Sequence, residues 1–244
     1  VDGVPDRETA LFIRKDDILL MSVLDEPGQP SSHDDSGHQL TPGCISLPIP
    51  EIFRDVRPGE SVFFDDGRIS GIVEKASEDR LQVRITHTNK PVEKLTGDRG
   101  INFPDTALNL PALSDKDIED LAFAARHADL VGLSFTNGPK DVSALCEQLR
   151  QLGRDDMGVV LKIETRRGFT NLPGIILEAL GLSACGVMIA RGDLAVECGF
   201  ERMAELQEEI LWICESAHVP VIWATQVLEN LTKRGFASRA EITD

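Results

Sequence analysis

The sequence predicts an α/β chain in two parts, a small β domain over residues 1–110 and four strand–helix units over 111–244. Two patterns carry that reading. Beyond residue 111, apolar runs opening at Val131, Val159, Val187 and Val219 are each followed by a helical pattern, and the starts recur at about the 30-residue step of a βαβ unit. Before residue 110, short apolar runs are cut by Gly, Pro, Asp and Ser, as consecutive strands joined by turns require.

Within the first part, residues 17–23 form the first apolar run. The polar stretch 27–43 carries His33 and His38 beside Asp34 and Asp35, a composition that would suit a metal cluster. Its Pro, Gly and Ser content favours a solvated loop, and no role is assigned to it. Residues 61–64 and 68–73 flank Asp65-Asp66-Gly67, and Asp-Gly between two apolar runs signals a hairpin. Residues 81–86 alternate with period two, as a half-buried strand does.

In the second part the expected strands are 131–135, 159–163, 187–190 and 219–225, and the expected helices 140–152, 172–180, 201–217 and 227–233. Right-handed crossovers place consecutive strands parallel in one sheet. Four such units fit either an open parallel sheet or half of an eight-stranded β/α barrel. A whole barrel takes about 250 residues, so 111–244 cannot close one alone.

Hydrophobic residues at 41% and charged residues at 27% are the composition of a chain with a packed core rather than a disordered one. The net charge of −16 and the lack of a basic stretch argue against nucleic acid as a partner. The most apolar region, 172–190, is broken by Pro173 and Glu178, so it reads as a helix then a strand and not as a membrane span of about 20 apolar residues. Residues 1–8 lack the basic start and apolar run of a secretory signal, which makes the cytoplasm the expected compartment. Five cysteines without a CxxC pattern are expected to be free, buried thiols. The missing initiator Met predicts a fragment of a longer protein.

The chemistry concentrates at strand ends. Lys162 and Glu164 lie two apart at the close of the second parallel strand, so both project from one face at the carboxyl end, where active sites of barrels and parallel sheets are built. The third strand runs into Arg191-Gly192-Asp193, and the fourth ends in Thr225-Gln226, with Val221, Trp223 and Thr225 expected on one face. Two carboxylates, a cation and a hydroxyl suit a hard metal such as Mg²⁺, with Lys162 stabilising charge on a phosphoryl group or an enolate. A structural Lys162–Glu164 pair and Asp193 as a helix N-cap account for the same spacing.

Leu161-Lys162-Ile163-Glu164, Met188-Ile189-Ala190-Arg191-Gly192-Asp193-Leu194, Trp223-Ala224-Thr225-Gln226-Val227-Leu228-Glu229 and Ser238-Arg239-Ala240-Glu241 resemble, in order and spacing, the successive barrel motifs of the pyruvate kinase family. Upstream, the stretches 113–121 and 133–135 resemble the start of the second half of that barrel. Phe64-Asp65-Asp66-Gly67-Arg68-Ile69 and Arg99-Gly100-Ile101-Asn102-Phe103-Pro104 resemble its small lid. The resemblance implies a partial (β/α)8 TIM barrel preceded by a small β-barrel lid domain with an insertion near 27–43. It implies transfer of phosphate from phosphoenolpyruvate to ADP, giving pyruvate and ATP in glycolysis, with Mg²⁺ or Mn²⁺ and with K⁺. By the same resemblance Glu164 and Asp193 hold the divalent ion, Lys162 stabilises the phosphoryl group in flight, the amides of Gly192 and Asp193 hold the substrate carboxylate, and Thr225 touches the substrate near the carbon that is protonated. Arg99 stands where the family usually has a Lys near the nucleotide phosphates, keeping the charge with another geometry. Asp65 and Asp66 would face the cleft, although plain hairpin chemistry explains them too.

The departures are Ala195, where a Gly usually follows Asp-Leu, and Thr165-Arg166-Arg167 after Glu164, where an Asn is common. The strands that precede the lid and the last barrel strand have no counterpart here, so exposed sheet edges are expected to be covered by missing segments or by further copies in a homo-oligomer. Two rival readings are a Mg²⁺-dependent aldolase or lyase working through a pyruvate enolate, and a catalytically silent fragment or paralogue; the isolated 244-residue chain is expected to be inactive.

Overall fold

A computed structural model describes residues 10–97, 99–225 and 227–243. Residues 1–8, where no secretory signal was expected, and Gln226 of the fourth barrel motif lie outside the described residues. The chain divides into two compact units, Val1–Leu110 and Pro111–Asp244.

The first unit contains β1 (Ala10–Ile13), β2 (Ile18–Ser22), β3 (Ser32–His33), β4 (Gln39–Thr41), β5 (Gly43–Ser46), helix α1 (Pro50–Asp55), β6 (Ser61–Phe64), β7 (Ile69–Ala76), β8 (Arg80–Thr88), β9 (Glu93–Thr96) and β10 (Ile101–Asn102). Its main sheet runs β10-β6-β7-β8-β2-β5, and β1 pairs with β9 and β3 with β4. Only the β2–β5 pairing in that sheet is parallel. Alternation along β6, β7 and β8 sends Val62, Phe64, Ile69, Val73, Leu81, Val83 and Ile85 into one core, as period-two strands with one wet face do. The expected hairpin forms: Phe64 pairs with Ile69, and Asp65, Asp66 and Gly67 between them are all left-handed, with φ of 51°, 55° and 79°. That conformation costs Gly nothing and Asp less than most residues.

The stretch 27–43 is largely exposed, as a solvated loop is, but it is ordered by pairing. Ser32 pairs with Thr41 and His33 with Gln39, Gln29 bridges to Cys44, and the Gln39 side chain bonds both the amide and the carbonyl of Ile18 at 2.7 and 2.9 Å. A segment with these long-range backbone ties is part of the domain, whatever its composition. Among the described residues, no group of three or more His, Cys, Asp or Glu is arranged to hold a metal.

The second unit contains α2 (Asp115–His127), β11 (Leu130–Leu133), α3 (Pro139–Gln151), β12 (Gly158–Ile163), α4 (Arg166–Thr170), α5 (Leu172–Ala179), β13 (Cys185–Ala190), α6 (Arg191–Cys198), a 3₁₀ turn (Phe200–Arg202), α7 (Met203–Ser216), β14 (Val221–Ala224), α8 (Glu229–Arg234) and α9 (Arg239–Thr243). The four strands form one parallel sheet in sequence order, an α/β arrangement with a curled, half-barrel sheet. Ser114 and Asp117 close a capping box that starts α2. Helix α6 was expected only through the alternative of Asp193 as an N-cap, and it starts earlier, at Arg191. It follows β13 without a loop, and its buried Leu194, Ala195 and Val196 mask the polar residues of its first turn.

One face of the sheet packs under the helices. Leu133, Val159, Leu161, Ile163, Val187 and Ile189 are buried in a core with Leu145, Leu149, Ile175, Leu206 and Ile210, and Val221 and Trp223 pack against it. The other face carries Gly132, Val160, Lys162, Met188, Ile222 and Ala224, by register. No described helix is long and apolar enough to cross a membrane.

Candidate active site

Alternation places Lys162 on the open face of β12, and Glu164 follows two residues later. The Lys162 ammonium lies 2.8 Å from Glu164 Oε1 and donates to Ser134 Oγ at 2.8 Å. Glu164 is only 3% exposed, and its second oxygen accepts the Phe135 backbone N–H at 2.5 Å. Each carboxylate oxygen therefore has a donor, as burial of a charge demands. The segment after β11 supplies that donor by turning sharply: Phe135 is left-handed, with φ of 49°, and Thr136 then donates its backbone N–H to the Lys162 carbonyl at 3.3 Å. Gly168, opening α4, approaches so closely that a Cβ there would stand 2.5 Å from the Thr136 carbonyl oxygen.

Ser134 was not singled out in the sequence as a site residue. The signal was available, because Gly132 pairs in register with Val160, so Ser134 and Lys162, each two residues on, fall on the same face. What the sequence could not supply was the pairing itself.

On the adjacent strand Ile189 is in register with Ile163, so Ala190 stands beside Glu164 at the sheet rim. Arg191, Gly192 and Asp193 then form the first turn of α6, and Ala190, its N-cap, makes no side-chain cap hydrogen bond. First-turn amides have no intrahelical acceptor and point toward the positive end of the helix. Gly192 and Asp193 thus combine amide donors with one half-buried carboxylate. Asp193 lies in the first turn of α6, with Ala190 as the N-cap, so the reading of Asp193 as N-cap does not hold.

Thr225 departs from the expected alternation. Val221 and Trp223 pack on the helix side, β14 ends at Ala224, and Thr225 is exposed and left-handed, with φ of 63°. Strand periodicity therefore does not carry to it. Arg191 ties this strand end to α6: its guanidinium donates to the Thr225 carbonyl at 2.8 Å and to Gln207 Oε1 at 3.3 Å, and lies 5.9 Å from the centre of the Trp223 ring. No role for Arg191 follows from its place in the sequence, because its contacts depend on separate elements.

The hard oxygen donors at these two neighbouring strand ends are Glu164 and Asp193, a donor set that fits a divalent ion completing its shell with water and substrate oxygens. Glu164 already has a cation beside one oxygen and an amide on the other, so an ion there would share the carboxylate through the lone pairs these contacts leave open.

In the first unit Arg99 donates through Nε to Thr96 Oγ1 at 2.9 Å and lies 3.4 Å from Asp65 Oδ1. Asp65 is buried and its other oxygen accepts from Arg68 at 2.9 Å, while Arg68 reaches buried Glu93 at 2.8 Å. Asp65 is thus both a hairpin residue and the centre of an ionic network that orients Arg99.

The family model for "Pyruvate kinase, barrel domain" matches residues 29–244. The chain belongs to the pyruvate kinase family. It is 32% identical over 201 residues to the pyruvate kinase of Clostridium acetobutylicum, covering 82% of this chain and 40% of that one. It is 36% identical over 200 residues to pyruvate kinase 1 of Trypanosoma brucei brucei, covering 81% and 38%, and 35% identical over 195 residues to pyruvate kinase 2 of Candida glabrata, covering 79% and 36%. The chain spans about two fifths of the length of these pyruvate kinases. The match crosses both units, so the β unit and the parallel sheet belong to one family pattern.

Proposed function

We propose that this chain carries part of the catalytic centre of a phosphotransferase that moves the phosphoryl group of phosphoenolpyruvate to ADP, giving pyruvate and ATP in glycolysis. The observation that carries the reading is Lys162 held at a strand's carboxyl end between a buried carboxylate and a hydroxyl. Phosphoryl transfer depends mainly on positioning and on neutralising charge in flight, and a cation clamped on two sides is fixed for that task. Lys162 is the residue that stabilises the transferring group, and Thr225 lies next to the carbon that gains a proton. The amides of Gly192 and Asp193, at the N-terminal end of α6, orient the substrate carboxylate. Glu164 and Asp193 hold Mg²⁺ or Mn²⁺, which when bound supplies charge neutralisation on phosphoryl and carboxylate oxygens. K⁺ belongs to the reading through the family, and no residue of this chain is assigned to it. Arg99 contacts nucleotide phosphates and exchanges its contact with Asp65 for them.

In this reading the first unit is a small β-barrel lid and the second is part of a (β/α)8 barrel, whose outer strands β11 and β14 pair with strands of another segment or another copy. The β unit inserted ahead of the parallel strands favours phosphotransfer over aldol chemistry, which needs no domain to close on nucleotide. The test is phosphoenolpyruvate-dependent ATP formation from ADP with Mg²⁺ and K⁺, in this chain, in the longest reading frame containing it, and in the Lys162→Met form of the latter. Activity in the longer form that falls about 100-fold or more in Lys162→Met is expected, on the scale of losing one charge-stabilising donor. Absence of turnover in both forms, or turnover indifferent to Lys162, would overturn the reading.

A further inference from the structure

In the first unit, β1 and the segments before β3 and β9 border a groove of about 330 Å³ lined by Phe12, Arg14, Pro30, Ser31, His33 and Val92. Arg14 is half-buried, and its guanidinium makes no hydrogen bond or ion pair among the described residues; its polar contacts are through the backbone, whose N–H donates to Asp17 Oδ2 at 2.9 Å and whose carbonyl accepts the Asp17 N–H at 3.3 Å. In a chain of net charge −16 an unpaired, partly desolvated arginine needs a reason. Two acidic groups of this region, Asp17 and Asp34, are already engaged, and the exposed Asp16 and Asp35 make no ion pair with it among the described residues. Asp17 is buried and its Oδ1 lies 2.8 Å from His33 Nε2, while Asp34 Oδ1 accepts from the Ser36 amide, the Ser36 hydroxyl and the His38 amide.

The groove is built rather than incidental. The His33 side chain is 12% exposed and held by Asp17, and the hairpin that carries it is fastened to β2 through Gln39 and to β5 through Gln29. The Arg14 guanidinium extends along the hairpin turn, with Nη1 3.6 Å from where a Cβ on Gly37 would stand. The Ser31 hydroxyl makes only a marginal 3.5 Å contact with the Phe12 carbonyl, so it is free to turn toward a ligand. Phe12 and Val92 leave 60% and 39% of their surfaces to solvent and form apolar walls.

We propose that this groove binds a small organic oxyanion, a carboxylate or phosphate carried on an apolar body, with the Arg14 fork on the charged end and Phe12 and Val92 against the body. A guanidinium matches either oxyanion through paired N–H donors, and one charged group among apolar walls in a few hundred Å³ is the usual make-up of a small-ligand site.

The test titrates the whole 244-residue chain with benzoate, phenyl phosphate and the uncharged benzamide, following the Arg14 side-chain N–H and the His33 ring by NMR. Saturable shifts at both residues with benzoate or phenyl phosphate, at a Kd on the order of 1 mM, are expected, and the tighter of the two identifies the oxyanion. Arg14→Gln should weaken that binding about 10- to 100-fold, the range for a charge-assisted contact, and Phe12→Ser should weaken phenyl phosphate while leaving inorganic phosphate unchanged. Shifts that do not saturate, equal binding of benzamide, or binding unaltered in Arg14→Gln would overturn the proposal.

Discussion

Replacing Glu164 by Gln keeps the size of the side chain and an acceptor for the Phe135 amide, but removes the charge facing Lys162 and sets the carboxamide NH₂ toward that ammonium. At the 2.8 Å separation, the attraction in a medium of effective dielectric constant near 20 is ~6 kcal/mol before any cost is counted. Most of that is offset by the desolvation of a carboxylate that is 3% exposed. The stranded Lys162 ammonium, whose side chain is 26% exposed and retains Ser134 as an acceptor, recovers part of its hydration. The net loss should be about 1–2 kcal/mol. Both tryptophans, Trp212 and Trp223, lie in the second unit, so urea unfolding followed by tryptophan fluorescence reads that unit alone. With a urea slope of about 2 kcal/mol/M, the midpoint should fall by roughly 0.5–1 M. The cycle completed with Lys162→Met and the double variant should return a coupling energy of about 1–2 kcal/mol, because the two side chains touch. A coupling below about 0.3 kcal/mol, the ordinary error of additivity, would refute the pair as an energetic unit and with it the account of how Lys162 is held.

Two further outcomes are expected from the same signal. Gly168→Ala gains about 1 kcal/mol of helix propensity but sets a Cβ 2.5 Å from the Thr136 carbonyl oxygen, a backbone atom that cannot swing aside. Overpacking of about 1–3 kcal/mol should dominate, so a net loss of stability is expected, and a gain would show that the β11–α3 segment yields easily. Burial pushes the Cys214 thiol from 9.0 up to about 11. The unfolded chain then sheds its proton first, so between pH 9 and 11 this group makes stability fall as pH rises. The chain has no tyrosine to titrate in that range. Cys214→Ala should flatten that part of the pH profile, and iodoacetamide at pH 8 should leave Cys214 unmodified until urea unfolds the chain. Alkylation of the native protein at Cys214 would contradict the burial.

Local chemistry was legible where it acts over a few residues. The Asp65-Asp66-Gly67 hairpin and the common face of Lys162 and Glu164 follow from backbone geometry with a period of two, and the four strand–helix units follow from hydrophobic runs. The reading weakened where an element ended. Helix α6 begins immediately after β13, so the change of period fell within a few residues; the alternative with Asp193 as N-cap set the helix start too late and missed the first-turn position of Gly192 and Asp193. Thr225 was extrapolated along a strand that had already stopped at Ala224. Composition marked 27–43 as solvated, which most of it is, but could not show how the stretch is fastened, because that depends on long-range partners: His33 on Asp17 across 16 residues and Gln39 on Ile18 across 21.

The amino-acid sequence by itself determined the order of strands and helices, the turn residues, the face on which each strand residue falls, and the motifs that mark the pyruvate kinase family. These depend on dihedral preferences and periodicities that each segment carries wherever it sits. Only the tertiary structure decided which donors meet Glu164, that Ser134 completes the Lys162 clamp, that Arg99 leans on Asp65, and that the Arg14 guanidinium has no acid partner among the described residues beside a buried His33–Asp17 pair. Those contacts arise from strand register and from packing between distant segments, where a shift of one residue would exchange every partner while leaving the local pattern unchanged.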